Sequence, residues 1–134
     1  MTKKRRICGK TYMTSMNWIE LISPEQISEI KEISKSKTVL LFKHSTSCSI
    51  SNTTLNRLER NWKEDELKIS AFYLDLLKYR SISKQIAEEF QVEHQSPQVL
   101  IIKDGQSVYN NSHFGIDYPS IKNQLQKLEK PSKN

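Results

Sequence analysis

TVLLFKHSTSCSIS, residues 38–51, is the stretch on which the fold turns. Thr38 to His44 is a near-continuous apolar run, the pattern of a strand buried on both faces of a sheet. Ser45-Thr46-Ser47 is a polar loop, and a helix is expected to begin at Cys48, with Ile50, Leu55, Leu58 and Trp62 on its inner side. A helix start offers unpaired backbone N–H groups and about half a positive charge. Both favour a thiolate over a thiol, and cysteines so placed titrate at about 3.5–7.5 instead of about 8.5. Lys43 and His44 precede the cysteine and add positive charge nearby. Ser51 follows it by three, giving C-x-x-S. Helical spacing puts that hydroxyl beside the sulfur, where it can donate a hydrogen bond but cannot close a disulfide.

Outward from this core the chain alternates. Trp18, Ile19, Leu21 and Ile22 make a short apolar stretch within 17–22. Ser23-Pro24-Glu25-Gln26 reads as a helix start, with Ser23 as cap, followed by Ile27, Ile30 and Ile33. Leu67 to Leu76 reads as a second central strand. Ser81 to Phe90 reads as a helix carrying Ile82, Ile86 and Phe90, with Ser81 as its cap. Pro97 precedes the buried run Val99-Leu100-Ile101-Ile102, and Asp104-Gly105 is a strong hairpin signal. Val108 and Tyr109 belong to the returning strand. Asp117 caps a last helix with Ile121, Leu125 and Leu128 inward, and residues 129–134 fray. The order β-α-β-α-β-α-β-β-α implies parallel pairing of the first three strands, then an antiparallel hairpin, with helices on both faces.

The chain has 134 residues, enough for one domain that folds without disulfides. Its net charge is +6, but Lys3, Lys4, Arg5, Arg6 and Lys10 lie in the first 16 residues with no acid among them. Residues 17–134 carry 16 basic and 15 acidic groups, so +1. Residues 1–16 are expected to be a basic tail without order, and residues 17–130 the domain. The charge therefore gives little reason to expect a nucleic-acid partner. No apolar run approaches the ~20 residues of a membrane span, and no secretory pattern follows the basic start. The expected compartment is the cytoplasm, with Cys8 and Cys48 as free thiols. His44, His94 and His113 are scattered, so no metal site is expected.

Phe42-Lys43-His44-Ser45-Thr46-x-Cys48-x-Ile50-Ser51, then Ser96-Pro97-Gln98, Lys103-Asp104-Gly105 and Ser112-His113-Phe114 resemble the YtxJ-type monothiol bacilliredoxins, within the thioredoxin-like superfamily. The likeness spans about residues 17–127. It departs at Ser49, where the family usually has proline.

The resemblance implies an α/β thioredoxin-like fold: a central mixed sheet of parallel strands plus a C-terminal antiparallel hairpin, with helices on both faces. It implies a monothiol thiol–disulfide oxidoreductase with Cys48 and Ser51 catalytic. His44, Thr46, Ser96, Pro97 and His113 would contact substrate, and Pro97 would have a cis peptide bond. No bound cofactor is implied; bacillithiol is the thiol co-substrate. The partners would be S-thiolated proteins and, indirectly, a bacillithiol disulfide reductase, with the protein itself a monomer. Two alternatives stay open. One is a thioredoxin-like binding module without turnover, and the other has Cys8 as resolving thiol.

Overall fold

A computed structural model of the chain describes residues 3–7, 10–14, 18–45, 47, 49–62 and 69–129. The order is β1 (Lys3–Ile7), β2 (Lys10–Thr14), β3 (Trp18–Glu20), α1 (Glu25–Ile33), β4 (Thr38–His44), α2 (Ser49–Asn61) and β5 (Ile69–Asp75). Next come α3 (Arg80–Phe90), β6 (Gln98–Lys103), β7 (Gln106–Ser112), a 3-10 turn (His113–Gly115) and α4 (Tyr118–Glu129). Five strands form one sheet in the order β3-β5-β4-β6-β7. Strands β3, β5 and β4 are parallel, and β6 runs antiparallel to β4 and β7.

Strand β4 is central, and all seven of its residues are buried. Side chains alternate across a strand, so β4 feeds two cores. Leu40 and Phe42 pack with Val99, Ile101, Leu55 and Leu58 of α2, and Ile121 and Leu125 of α4. Val39 and Leu41 pack with Leu100, Ile102, Ile27 and Ile30 of α1, and Ile82 and Ile86 of α3. The apolar run at 38–44 is thus continuous because neither face of β4 meets water.

Local chemistry sets the element ends. Asp104 and Gly105 take positive φ (54° and 76°), the primed turn that a two-residue hairpin needs. Asp117 caps α4, its Oδ1 accepting from Ser120 N–H at 2.8 Å. At α1 the expected Ser23 hydroxyl cap is not made. Instead Gln26 reaches back, its Oε1 accepting from the Ser23 and Ile22 N–H groups at 3.0 and 2.6 Å. Helix α3 begins at Arg80, so Ser81 sits exposed in the first turn and caps nothing. Asp75 closes that turn, its backbone carbonyl accepting from Tyr79 N–H at 2.9 Å.

Two further expectations change. Ile50 is 39% exposed, because Ser51 takes the inner position ahead of Leu55, Leu58 and Trp62. In the basic segment, Lys3–Ile7 and Lys10–Thr14 pair as an antiparallel hairpin, a two-stranded sheet of its own. Thr11, Tyr12 and Thr14 carry the strand preference there. Leu67, Cys8 and residues 130–134 lie outside the described residues.

Gly115 ends the 3-10 turn against the Asn111 side chain; a Cβ there would stand 2.1 Å from Asn111 Oδ1. Asn111 is held in place: its Oδ1 accepts from Ser112 N–H at 2.8 Å and its Nδ2 donates to Tyr109 Oη at 3.1 Å. Gly115→Ala should therefore cost about 1–3 kcal/mol in urea unfolding, by overpacking and the loss of those bonds. In an Asn111→Ala background the same substitution should cost well under half as much. An equal cost in both backgrounds would show that Asn111 is not the obstacle.

Candidate functional site

The site is built where β4 ends and α2 begins. Ser51, in the first turn of α2, is fully buried. Its Oγ accepts from Ser45 N–H at 3.1 Å and lies 2.7 Å from His44 Nδ1. The hydroxyl thus gathers the last residue of the strand, the first residue of the loop and the helix start around one oxygen. A hydroxyl has one proton to give. If His44 Nδ1 accepts, that proton is spent inward. If Nδ1 carries hydrogen, Ser51 accepts twice and its own proton is available outward.

The resemblance to the family places His44 among substrate-contacting residues. The structure buries it completely, on the Phe42 and Tyr73 rings (centroids 6.1 and 5.6 Å away). Its place is therefore behind Ser51, not against a bound chain. Thr46 and Cys48 lie outside the described residues; Cys48 is the residue immediately before α2 in the sequence.

The second half of the site comes from β6 and the 3-10 turn after β7. Gln98 pairs with Lys43 at the end of the β4–β6 ladder, so Pro97 lies just beyond it, at the edge where β4 ends. The Ser96–Pro97 peptide bond is cis, as the resemblance implies. The Pro97 carbonyl accepts from His113 N–H at 3.1 Å. His113 adopts a left-handed backbone, φ 55°, which turns the chain out of β7 and back over the proline. The structure thus joins Ser96, Pro97 and His113. The Ser96 hydroxyl oxygen is buried and has no hydrogen-bond partner among the described residues.

Beside the cysteine in sequence, Ser49, Ile50, Thr53, Thr54 and Arg57 line a small cavity of about 130 Å³ on α2. Arg57 is fixed by donating to the Ile116 carbonyl at 3.4 Å. The sequence did not single out this surface, although the displacement of Ile50 by Ser51 on the helix wheel could have shown it.

The sequence expects Lys43 to add positive charge near the cysteine, and the structure corrects this. Strand alternation sends it to the face opposite His44, where it is fully buried. Its Nζ donates to the Ser83 carbonyl at 3.3 Å and lies 3.4 Å from His94 Nδ1, itself 3.2 Å from Ser83 Oγ. Burial lowers the Lys43 pKa from 10.5 to about 8. Desolvation, then the Lys43 charge, lower that of His94. No group of three or more metal-ligating side chains occurs among the described residues. Nor is any described helix long and apolar enough to cross a membrane.

A family model described as monothiol bacilliredoxin BrxC matches residues 19–121. Solved structures agree in fold. One described as a candidate oxidoreductase with a thioredoxin fold is 29% identical, covers 81% of this chain and 93% of its own, and superposes with a TM-score of 0.70. Reduced Schistosoma mansoni thioredoxin pre-protein is 17% identical over 84% of this chain and 98% of its own, with a TM-score of 0.63. The long form of spinach chloroplast thioredoxin f is 16% identical over 85% and 88%, with a TM-score of 0.65. The chain has the thioredoxin fold.

The Lys43 shift has a stability consequence. Below about pH 8 the native state holds a buried ammonium at a cost. Between about 8 and 10.5 the native state has shed that proton while the unfolded chain keeps it, so stability rises with pH. The full rise is about 3 kcal/mol, at about 1.4 kcal/mol per pKa unit. Urea unfolding at pH 7 and pH 10 should show wild type gaining on Lys43→Met by an amount of that order. Parallel pH dependence of the two proteins would contradict the assignment.

Proposed function

The chain belongs to the monothiol bacilliredoxin family of thiol-redox proteins, and on that premise we propose that it removes bacillithiol from S-bacillithiolated proteins through a mixed disulfide on Cys48. One observation carries the reading: of the two cysteines, Cys8 and Cys48, only Cys48 falls within the matched residues 19–121. Position 51 of the C-x-x-S segment is serine, so no neighbouring thiol is present there to close a disulfide.

In the proposed reaction the Cys48 thiolate attacks the bacillithiol sulfur of a protein–S–S–bacillithiol disulfide. That S–S bond breaks, and the target sulfur leaves as a thiolate that takes a proton from solvent. Cys48 then carries bacillithiol. A second bacillithiol thiolate attacks the bacillithiol sulfur on Cys48. It leaves as bacillithiol disulfide and restores the Cys48 thiolate. Two thiol–disulfide exchanges thus move one disulfide bond from protein to small thiol, with no other oxidant or reductant. A separate reductase for bacillithiol disulfide would close the cycle.

Three groups support these steps. With His44 Nδ1 carrying the hydrogen, Ser51 would keep its own proton to donate to the sulfur as thiolate and as leaving group, and His44 would act through it as a positioning residue. The α2 start contributes its unpaired N–H groups and positive end. Ser96 and cis-Pro97 would hold the incoming chain by backbone pairing, with His113 N–H fixing the proline. The exposed Ile50 and its shallow cavity offer an apolar contact for the target.

Incubation with a bacillithiolated protein, followed by intact mass, tests the reaction. Wild type should gain the mass of one bacillithiol and release a reduced target, and Cys48→Ser should do neither. A folded wild type that takes up no bacillithiol overturns the proposal and leaves the binding-module reading. The role of Ser51 has its own readout. Ser51→Ala should alkylate several-fold more slowly at pH 7 with an unchanged rate at high pH, since only the thiolate fraction is altered.

A further inference from the structure

We propose that a second cavity, on the face of the sheet opposite Ser51, is a binding site for small organic carboxylates, with Lys43 supplying its buried positive charge. The cavity measures about 270 Å³ and is lined by Leu76, Arg80, Ser83, Lys84, Ala87 and His94. It lies between α3 and the loop ahead of β6.

The case rests on Lys43. A fully buried lysine almost always has a partner of opposite charge. Lys43 is 0% exposed, yet no carboxylate pairs with it among the described residues. Its contacts, the Ser83 carbonyl at 3.3 Å and His94 Nδ1 at 3.4 Å, are both long. Those same two residues, Ser83 and His94, wall the cavity. The uncompensated charge therefore stands directly behind the cavity lining.

The rest of the lining suits a carboxylate on a short carbon body. Arg80 and Lys84 are four apart on α3, hence on one face, and add two cations at the mouth. Leu76 and Ala87 provide an apolar wall for the body. At about 30 Å³ per water the space equals roughly nine waters, room for an acid of about four to eight non-hydrogen atoms. A bound carboxylate would give the Lys43 ammonium the counter-charge that the fold withholds. The site is independent of the Cys48 chemistry proposed above, because β4 sends Lys43 and His44 to opposite faces.

Butyrate is a suitable probe, followed by NMR of the Ala87 methyl and the His94 ring in the full-length protein. Sodium chloride at matched ionic strength, butyramide and inorganic phosphate serve as comparisons. Butyrate should shift both signals saturably, with half-saturation at a few millimolar, as expected for so small a ligand. Chloride, butyramide and phosphate should each bind at least tenfold more weakly. Lys43→Met should weaken butyrate at least tenfold. Arg80→Ala, at an exposed position that leaves the core intact, should weaken it several-fold. The proposal is overturned by a response that does not saturate, or by butyramide or chloride matching butyrate. Phosphate binding more tightly than butyrate, or unchanged affinity in a folded Lys43→Met or Arg80→Ala, would overturn it equally.

Discussion

One side-chain oxygen organises the active end of this molecule. Ser51 Oγ binds the Ser45 N–H and meets His44 Nδ1, so it ties together the strand end, the first loop residue and the helix start. Strand β4 is buried on both faces and cannot adjust its register without dislocating two cores. Helix α2 is fixed by Leu55, Leu58 and Trp62. Between these rigid parts the polar loop would have to find its own geometry. The buried hydroxyl anchors its first residue, Ser45, and a neutral hydrogen bond at this depth is costly to leave unmade.

The parity of β4 then divides labour across the sheet. Phe42 and His44 look toward α2 and α4, and Leu41 and Lys43 toward α1 and α3. Two consecutive basic residues, alike in sequence, meet opposite fates. His44 joins an aromatic and hydroxyl environment behind the redox end. Lys43 is held behind α3 with no carboxylate beside it among the described residues. Extended backbone makes this separation possible, since adjacent strand residues never share a side.

Much of this was legible in the sequence because the strong signals are local. The run at 38–44 could only be a two-sided strand, Asp104-Gly105 could only be a tight primed turn, and Asp117 stood one turn ahead of an apolar helix face. The element order and the parallel-then-antiparallel pairing followed from them. The cis Ser96–Pro97 bond came from family likeness, since most proline bonds are trans. What escaped was non-local. The inward turn of Ser51, which pushes Ile50 out, depends on a partner seven residues back. The pairing of Lys43 with Ser83 and His94 joins residues 40 and 51 apart. The basic hairpin at Lys3–Ile7 and Lys10–Thr14 lacks the apolar alternation by which strands announce themselves, so charge alone suggested a tail.

The two borders of the sheet differ from its centre in a way that bears on self-association. Among the described residues, strand β3 offers three residues along its outer side, ending in Glu20. Strand β7 is interrupted where Ile101 and Ile102 pair with Tyr109 and Ser107, leaving Val108 as an extra residue that bends the ladder. A short charged border and a bulged polar one make poor templates for another chain to extend. The sheet is thus capped against growth by its own irregularities, and its five strands are a natural stopping point.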